Sequence, residues 1–241
     1  MSRRALVTGA TRGIGKAVAI RLIEDGWEVV GTGRQGAAQQ MASDPKLAKA
    51  QWLDLDFANP ISRNQFFLNI REKGPFQGLV NNAGVNRIKP ITDVDENDFE
   101  YVHDVNLKGP YLLCREIVQE MAANNGGRIV NIASIWSVIS KANRSLYSSS
   151  KTGLIGLTRA LAIEAAKDHV LVNAVSPGFV MTDMTRDSLS TEQIDQLTKE
   201  IPLGRMAEPT EITEIVLFLL SEKNQFITGQ NIVVDGGFSI T

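Results

Sequence analysis

The chain has 241 residues, 43% of them hydrophobic and 22% charged, with a net charge of −2 and one cysteine, Cys114. That size supports one large α/β domain whose core needs no disulfide or metal staple. A near-neutral surface has no field to gather nucleic acid or an anionic membrane. A lone cysteine excludes an internal disulfide and fits a reducing, cytoplasmic compartment.

From the start, Met1-Ser2-Arg3-Arg4 runs straight into strand-like Ala5-Leu6-Val7-Thr8, leaving no room there for a secretion signal. No apolar run has membrane-spanning length. Strands are expected at 5–8, 28–32, 51–53, 78–81, 128–132, 170–175 and 231–234. Helices are expected at 13–25, 97–123, 145–167 and 209–221. Most strands are unbroken Val/Ile/Leu runs, the pattern of strands covered on both faces. Strand–helix alternation gives a doubly wound, seven-stranded parallel sheet flanked by helices, a single domain over 1–241 with right-handed crossovers. The stretch 179–206 breaks the rhythm, carries one expected helix near 191–200, and follows a strand's carboxyl end, so it reads as a substrate lid.

Between the first strand and first helix lies Thr8-Gly9-Ala10-Thr11-Arg12-Gly13-Ile14-Gly15. The order Gly-x-x-x-Gly-x-Gly differs from the usual dinucleotide fingerprint but serves the same physics: a tight turn, close approach of a pyrophosphate, and close helix packing, with free N–H groups at the helix start. This makes the sheet Rossmann-type. The second strand ends Gly31-Thr32-Gly33-Arg34-Gln35, without the acid that would hold an NAD ribose. Arg34 offers a planar fork to a 2′-phosphate, and Arg12 can approach the same group. The expected cofactor is NADP(H).

Tyr147 and Lys151 stand four apart, on one helix face, with Ser134 upstream. A free phenol has a pKa of about 10, and a neighbouring ammonium is expected to lower it. Beside a dinucleotide loop, that pair implies hydride transfer at a carbonyl, with Tyr147 supplying the proton and Ser134 orienting the oxygen. No metal-ligand cluster is visible.

Together, Thr8-Gly9-x-x-x-Gly13-x-Gly15, Asn81-Asn82-Ala83-Gly84, Asn106, Ser134, Tyr147-x-x-x-Lys151 and Pro177-Gly178 resemble the short-chain dehydrogenase/reductase family over nearly the whole chain. The stretches Pro177-Gly178-Phe179-Val180-Met181-Thr182-Asp183-Met184-Thr185, Ile201-Pro202-Leu203-Gly204-Arg205 and Ile227-Thr228-Gly229-Gln230 are most similar to those of 3-oxoacyl-(acyl-carrier-protein) reductases. The resemblance implies an oxidoreductase of fatty acid biosynthesis. Its implied catalytic set is Asn106, Ser134, Tyr147 and Lys151, with Asn106 holding a water that resupplies protons. Its implied cofactor set is Gly9, Thr11, Arg12, Gly13, Ile14, Gly15, Arg34, Asp54, Leu55, Asn82, Ala83, Gly84, Tyr147, Lys151, Pro177, Gly178, Val180 and Thr182. Asp54 would meet the adenine amino group and Lys151 the nicotinamide ribose. It further implies a homotetramer paired through the helices 97–123 and 145–167, and acyl carrier protein as a partner, with Arg128 as a basic residue near the pocket mouth. The turn Lys167-Asp168-His169 departs from the basic pattern expected there.

Ser134, Trp136, Tyr147 and Phe179 are the expected substrate contacts, with Asn86, Ala142, Met184 and Leu203 around them. Trp136 stands where the family often has a smaller residue. A reductase or dehydrogenase of a sugar, polyol or other secondary alcohol is the alternative; a non-catalytic nucleotide-binding protein is a more distant one.

Overall fold

The computed structural model describes residues 3–188 and 190–241, with the side chains of Ala38, Ala42, Met184, Asp187 and Ser188 outside the description. The Met184 side chain, one of the expected pocket groups, therefore lies outside the described residues.

Seven strands form one sheet: β1 (Arg4–Val7), β2 (Glu28–Gly33), β3 (Gln51–Asp54), β4 (Gly78–Asn81), β5 (Gly127–Ile132), β6 (Val170–Pro177) and β7 (Asn231–Val234). Their order is β3-β2-β1-β4-β5-β6-β7, and every neighbouring pair is parallel. Leu6 of β1 pairs with Val30 on one side and Leu79 on the other. The strand order reverses between β1 and β4, which opens a crevice at the carboxyl ends of these strands.

The helices are α1 (Gly13–Glu24), α2 (Ala37–Ala42), α3 (Pro60–Ile70), α4 (Glu96–His103), α5 (Gly109–Ala123), α6 (Ser145–Ala165), α7 (Asp183–Ser188), α8 (Thr191–Glu200) and α9 (Pro209–Leu220). Side chains along a strand alternate between faces. Ala5 and Val7 thus join Val18 and Leu22 of α1 and Val216 and Leu219 of α9, whereas Leu6 joins Phe66 of α3 and Leu113 and Ile117 of α5. Burial on both faces explains the unbroken apolar runs.

Three details differ from expectation. α2 and α3 lie in stretches with no helix assigned; α3 begins where Asn59 accepts from the N–H groups of Ile61 and Ser62 at 2.9 and 3.1 Å, ahead of Pro60. The helix expected at 97–123 is interrupted by a π-helical turn, Asp104–Lys108. Pro110 has no N–H for the carbonyl of Asn106 four residues earlier, so the α ladder cannot continue there. The segment 179–206 holds two helices rather than one, α7 and α8. It is closed at its base by Ala207 N–H to Phe179 O at 2.9 Å and Met181 N–H to Ala207 O at 2.8 Å. No helix among the described residues is long and apolar enough to cross a membrane.

Candidate active site

β1 gives way to Thr8, and the chain turns with Gly9 at φ +63° and Gly13 at φ +56°, a region glycine enters without steric cost. A Cβ on Gly9 would lie 2.9 Å from the Ala83 Cα, and one on Gly15 would overlap the Gly9 carbonyl and the Asn82 amide. These two glycines let the loop fold onto the end of β4. Gly13 instead faces the Thr182 methyl, which a Cβ there would approach to 3.3 Å. Asn82 and Ala83 brace the loop: both N–H groups donate to Thr8 Oγ1 at 3.0 Å, and Asn82 Nδ2 donates to the carbonyls of Thr8 and Gly9, each at 3.0 Å.

The loop fits a dinucleotide. Arg12, preceding α1, makes no side-chain cap, so the first-turn N–H groups remain available to an anion. Arg12 and Arg34 are exposed, and neither has an ion-pair partner among the described residues. Lys16, one turn further on, is already committed to Asp44 at 2.7 Å. Asp54 is exposed at the end of β3, in register with Gly33. Leu55 and Val180 are buried in the two core clusters, and Ile14 packs against one of them. What these three can offer a cofactor is main chain. Thr11 and Thr182 are half-buried on the loop and opposite it. At the end of β6, Gly178 donates to Val234 O at 2.9 Å, where a Cβ would press 2.7 Å from Asp235.

The chemical groups meet at the same edge of the sheet. α6 carries Tyr147, half-buried, and Lys151, buried, one turn apart. Ser134 follows β5, is buried, accepts from Trp136 N–H at 3.3 Å, and offsets part of the upward shift of the Tyr147 phenol. Lys151 Nζ donates to Ile132 O at 2.7 Å and lies 5.8 Å from the Tyr147 ring centroid. Fully buried Asn106 donates from Nδ2 to Val85 O at 2.9 Å and Ser150 Oγ at 3.0 Å, and its Oδ1 accepts from Val85 N–H at 2.8 Å. Its amide protons are used up; a second lone pair on Oδ1 is what remains to hold a water. A Cβ on Gly84 would stand 3.4 Å from Lys151 Nζ and 3.5 Å from Asn106 Oδ1. Glycine there keeps the space between them clear.

The electrostatics correct one expectation. The net shift of the Tyr147 phenol is upward rather than downward, and the Lys151 ammonium is hydrogen-bonded to the Ile132 carbonyl. Removal from water pushes Tyr147 up, and neighbouring Ser134, then the Arg144 charge, only partly offset this. Burial pushes Lys151 down to about 8. The phenol is thus held protonated at neutral pH, the form a donor needs. Cys114 is inert by the same physics, with burial pushing its thiol up to about 12.

Trp136 and Phe179 meet edge to face at 6.2 Å, and Phe238 closes the cluster at 5.1 Å from Phe179 and 6.5 Å from Trp136. Asn86 Oδ1 is buried without a hydrogen-bond partner among the described residues. Ala142 lines a cleft of about 460 Å³ with Ile91, Thr92, Ser140 and Lys141. Leu203 is 69% exposed and adds nothing to an enclosed pocket. Arg128 is not at this chain's pocket mouth. It lies on the amino-terminal part of β5, the edge away from Tyr147, and donates to Asn224 O at 3.0 Å. Lys167-Asp168-His169 precedes β6 at that same far edge.

Two residues escaped the sequence reading. Phe238 arrives from the chain's end with no local pattern to mark it. Arg144, one turn before Tyr147, was legible in position; its contact with the Trp136 ring, 5.4 Å to the centroid, was not.

A family model described as enoyl-(acyl carrier protein) reductase matches residues 9–239. The chain is 41% identical over 239 residues to the 3-oxoacyl-(acyl-carrier-protein) reductase FabG of Aquifex aeolicus, covering 97% of this chain and 96% of that one. Among solved structures, it is similar to a proposed NAD(P)-dependent gluconate 5-dehydrogenase from Beutenbergia cavernae with NADP at low occupancy. The TM-score there is 0.90 at 34% identity, covering 99% and 97% of the two chains. It is also similar to ElxO with NADP bound, at a TM-score of 0.92 and 28% identity, covering 100% of both. By sequence, fold and site, the chain belongs to the short-chain dehydrogenase/reductase family and is an oxidoreductase.

Proposed function

We propose that the protein is an NADP(H)-dependent carbonyl reductase that converts 3-oxoacyl thioesters to 3-hydroxy products. The observation that carries this reading is the gathering of buried Ser134 with Tyr147 and Lys151 of α6, one turn apart, at the sheet edge that carries the glycine loop. The loop and the start of α1 would hold the pyrophosphate, Arg12 and Arg34 the 2′-phosphate, and Lys151 the nicotinamide ribose. When bound, NADPH supplies the hydride. Ser134 orients the substrate carbonyl, and Tyr147 gives its proton to the oxygen as charge develops there. Lys151 and Asn106, facing one another across the space at Gly84, form the route by which Tyr147 is reprotonated. Phe179 and the 179–206 segment would act as lid and pocket wall, and an acyl carrier protein would present the thioester. A cytoplasmic location agrees with one buried thiol.

The test is NADPH oxidation over a substrate panel. Turnover of an acetoacetyl thioester above sugar acids and simple alcohols supports the acyl reading. The reverse order supports the alternative, oxidation or reduction of a sugar acid, which the likeness to the gluconate dehydrogenase structure favours.

A charge-assisted hydrogen bond contributes about 1.5–3 kcal/mol, so Arg34→Asp is expected to lower kcat/KM for NADPH about 10–100-fold and leave NADH use little changed. A parent enzyme that already prefers NADH would contradict the assignment.

We infer a homotetramer paired through α5 and α6, where Tyr111 is 55% and Ile163 80% exposed. Light scattering is expected to give four chains per particle; a monomer mass would refute it.

A further inference from the structure

Arg144 is a cation beside the catalytic helix that the reaction leaves unused. It precedes α6, three residues before Tyr147, and is half-buried. Its guanidinium lies over the Trp136 ring, 5.4 Å from the centroid. It has no ion-pair or side-chain hydrogen-bond partner among the described residues. Its charge partly offsets the upward shift of the Tyr147 phenol, three residues on. Leaving a guanidinium partly desolvated and unpaired is costly, and burial alone pushes Arg144 below the usual arginine range. A carboxylate would satisfy it: the fork accepts two oxygens, while the aromatic floor of Trp136 holds the guanidinium plane. The adjoining cleft adds Lys141 to its lining. Asp93, next in the chain to the lining residue Thr92, accepts from the Thr92 hydroxyl at 3.0 Å.

We propose that Arg144 is a specificity-determining anchor for a carboxylate carried a few bonds from the reacting carbonyl, so that the site selects short oxo or hydroxy acids over their neutral analogues. This rests on the carbonyl-reductase part of the proposed function and favours its acid-substrate alternative over the thioester. Proximity to the phenol decides between oxyanion sources. A carboxylate on a short oxo acid reaches Arg144 while its ketone meets Tyr147, whereas the phosphate of a pantetheine arm sits at the arm's distant end.

The test compares substrates that differ only in charge: acetoacetate against its methyl ester, and acetoacetyl-phosphopantetheine against acetoacetyl-pantetheine. Arg144→Gln is expected to lower kcat/KM for acetoacetate about 10–100-fold, mainly through KM, while the methyl ester stays within about threefold of parent. Arg144→Lys should recover part of the loss, which a purely structural role would not predict. Calorimetric binding of acetoacetate, expected in the parent and lost in Arg144→Gln, reads the site without turnover. If the parent reduces no ketone yet binds acetoacetate through Arg144, the reductase reading fails and the anchor stands. Equal effects on acid and ester, or none on either, would overturn the anchor. So would a charge preference found only in the phosphopantetheine pair.

Discussion

Tyr147→Phe is expected to lower kcat for carbonyl reduction by about 10²–10⁴-fold while leaving NADPH affinity near the parent value. The substitution removes one oxygen from a half-buried side chain, and the ring keeps its place against α6. What disappears is the phenolic proton donor one turn from Lys151. Steady-state NADPH oxidation and a separate binding titration give the two quantities. The parent's pH profile belongs to the same test. Lys151 is held down to about 8, so kcat/KM should fall as pH rises through that value and the ammonium is lost. Stability moves the other way. The Lys151 pKa is lower folded than unfolded, so between about 8 and its usual 10.5 the unfolded chain binds the extra proton. This group's contribution to stability therefore rises with pH across that window. An activity loss near pH 8 accompanied by a falling melting temperature would point to unfolding and contradict the assignment to Lys151.

Gly15→Ala is expected to destabilise the protein by about 1–3 kcal/mol, lowering the melting temperature by several degrees, and to weaken NADPH binding about tenfold or more. In an unobstructed helix the same change would help by about 1 kcal/mol. Here the added methyl would overlap the Gly9 carbonyl, which is backbone, and the Asn82 amide, which already bridges Thr8 and Gly9. Relief requires the loop to lift from β4, and that displaces Gly13 and the first turn of α1 from a bound pyrophosphate. A thermal melt and a nucleotide titration measure both effects. A variant as stable as the parent, with unchanged affinity, would show that the packing of Gly15 onto β4 is dispensable.

The parts of the fold that were readable share a local cause. β4 falls on the expected 78–81 because a strand buried along its whole length reads as a short apolar run, and β7 on 231–234 as an Ile/Val run at the half-buried sheet edge. The glycine loop was readable because Gly9 occupies a conformation other residues avoid. α3 was missed although Asn59-Pro60 is a capping signal, since its apolar periodicity is weak. The π turn was foreshadowed by Pro110 but requires knowing that the helix continues on both sides of it.

The candidate site divides the same way. Spacing placed Tyr147 beside Lys151 on one face, but no local pattern says that Lys151 turns to Ile132 or that burial, not a neighbouring ammonium, governs the phenol. Those are long-range facts: Ile132 is on β5, and Trp136, Phe179 and Phe238 converge from three separate segments. Arg128 illustrates the converse. Its residue type suited a pocket mouth, and only the direction of β5 shows that it faces away.

The most direct measurement is a crystal structure of the complex with NADP⁺ and a 3-hydroxyacyl product. The Tyr147 hydroxyl and Ser134 Oγ should both lie about 2.6–3.2 Å from the product oxygen, with Lys151 on the ribose. A product oxygen bound by other groups, with the phenol pointing elsewhere, would contradict the donor role.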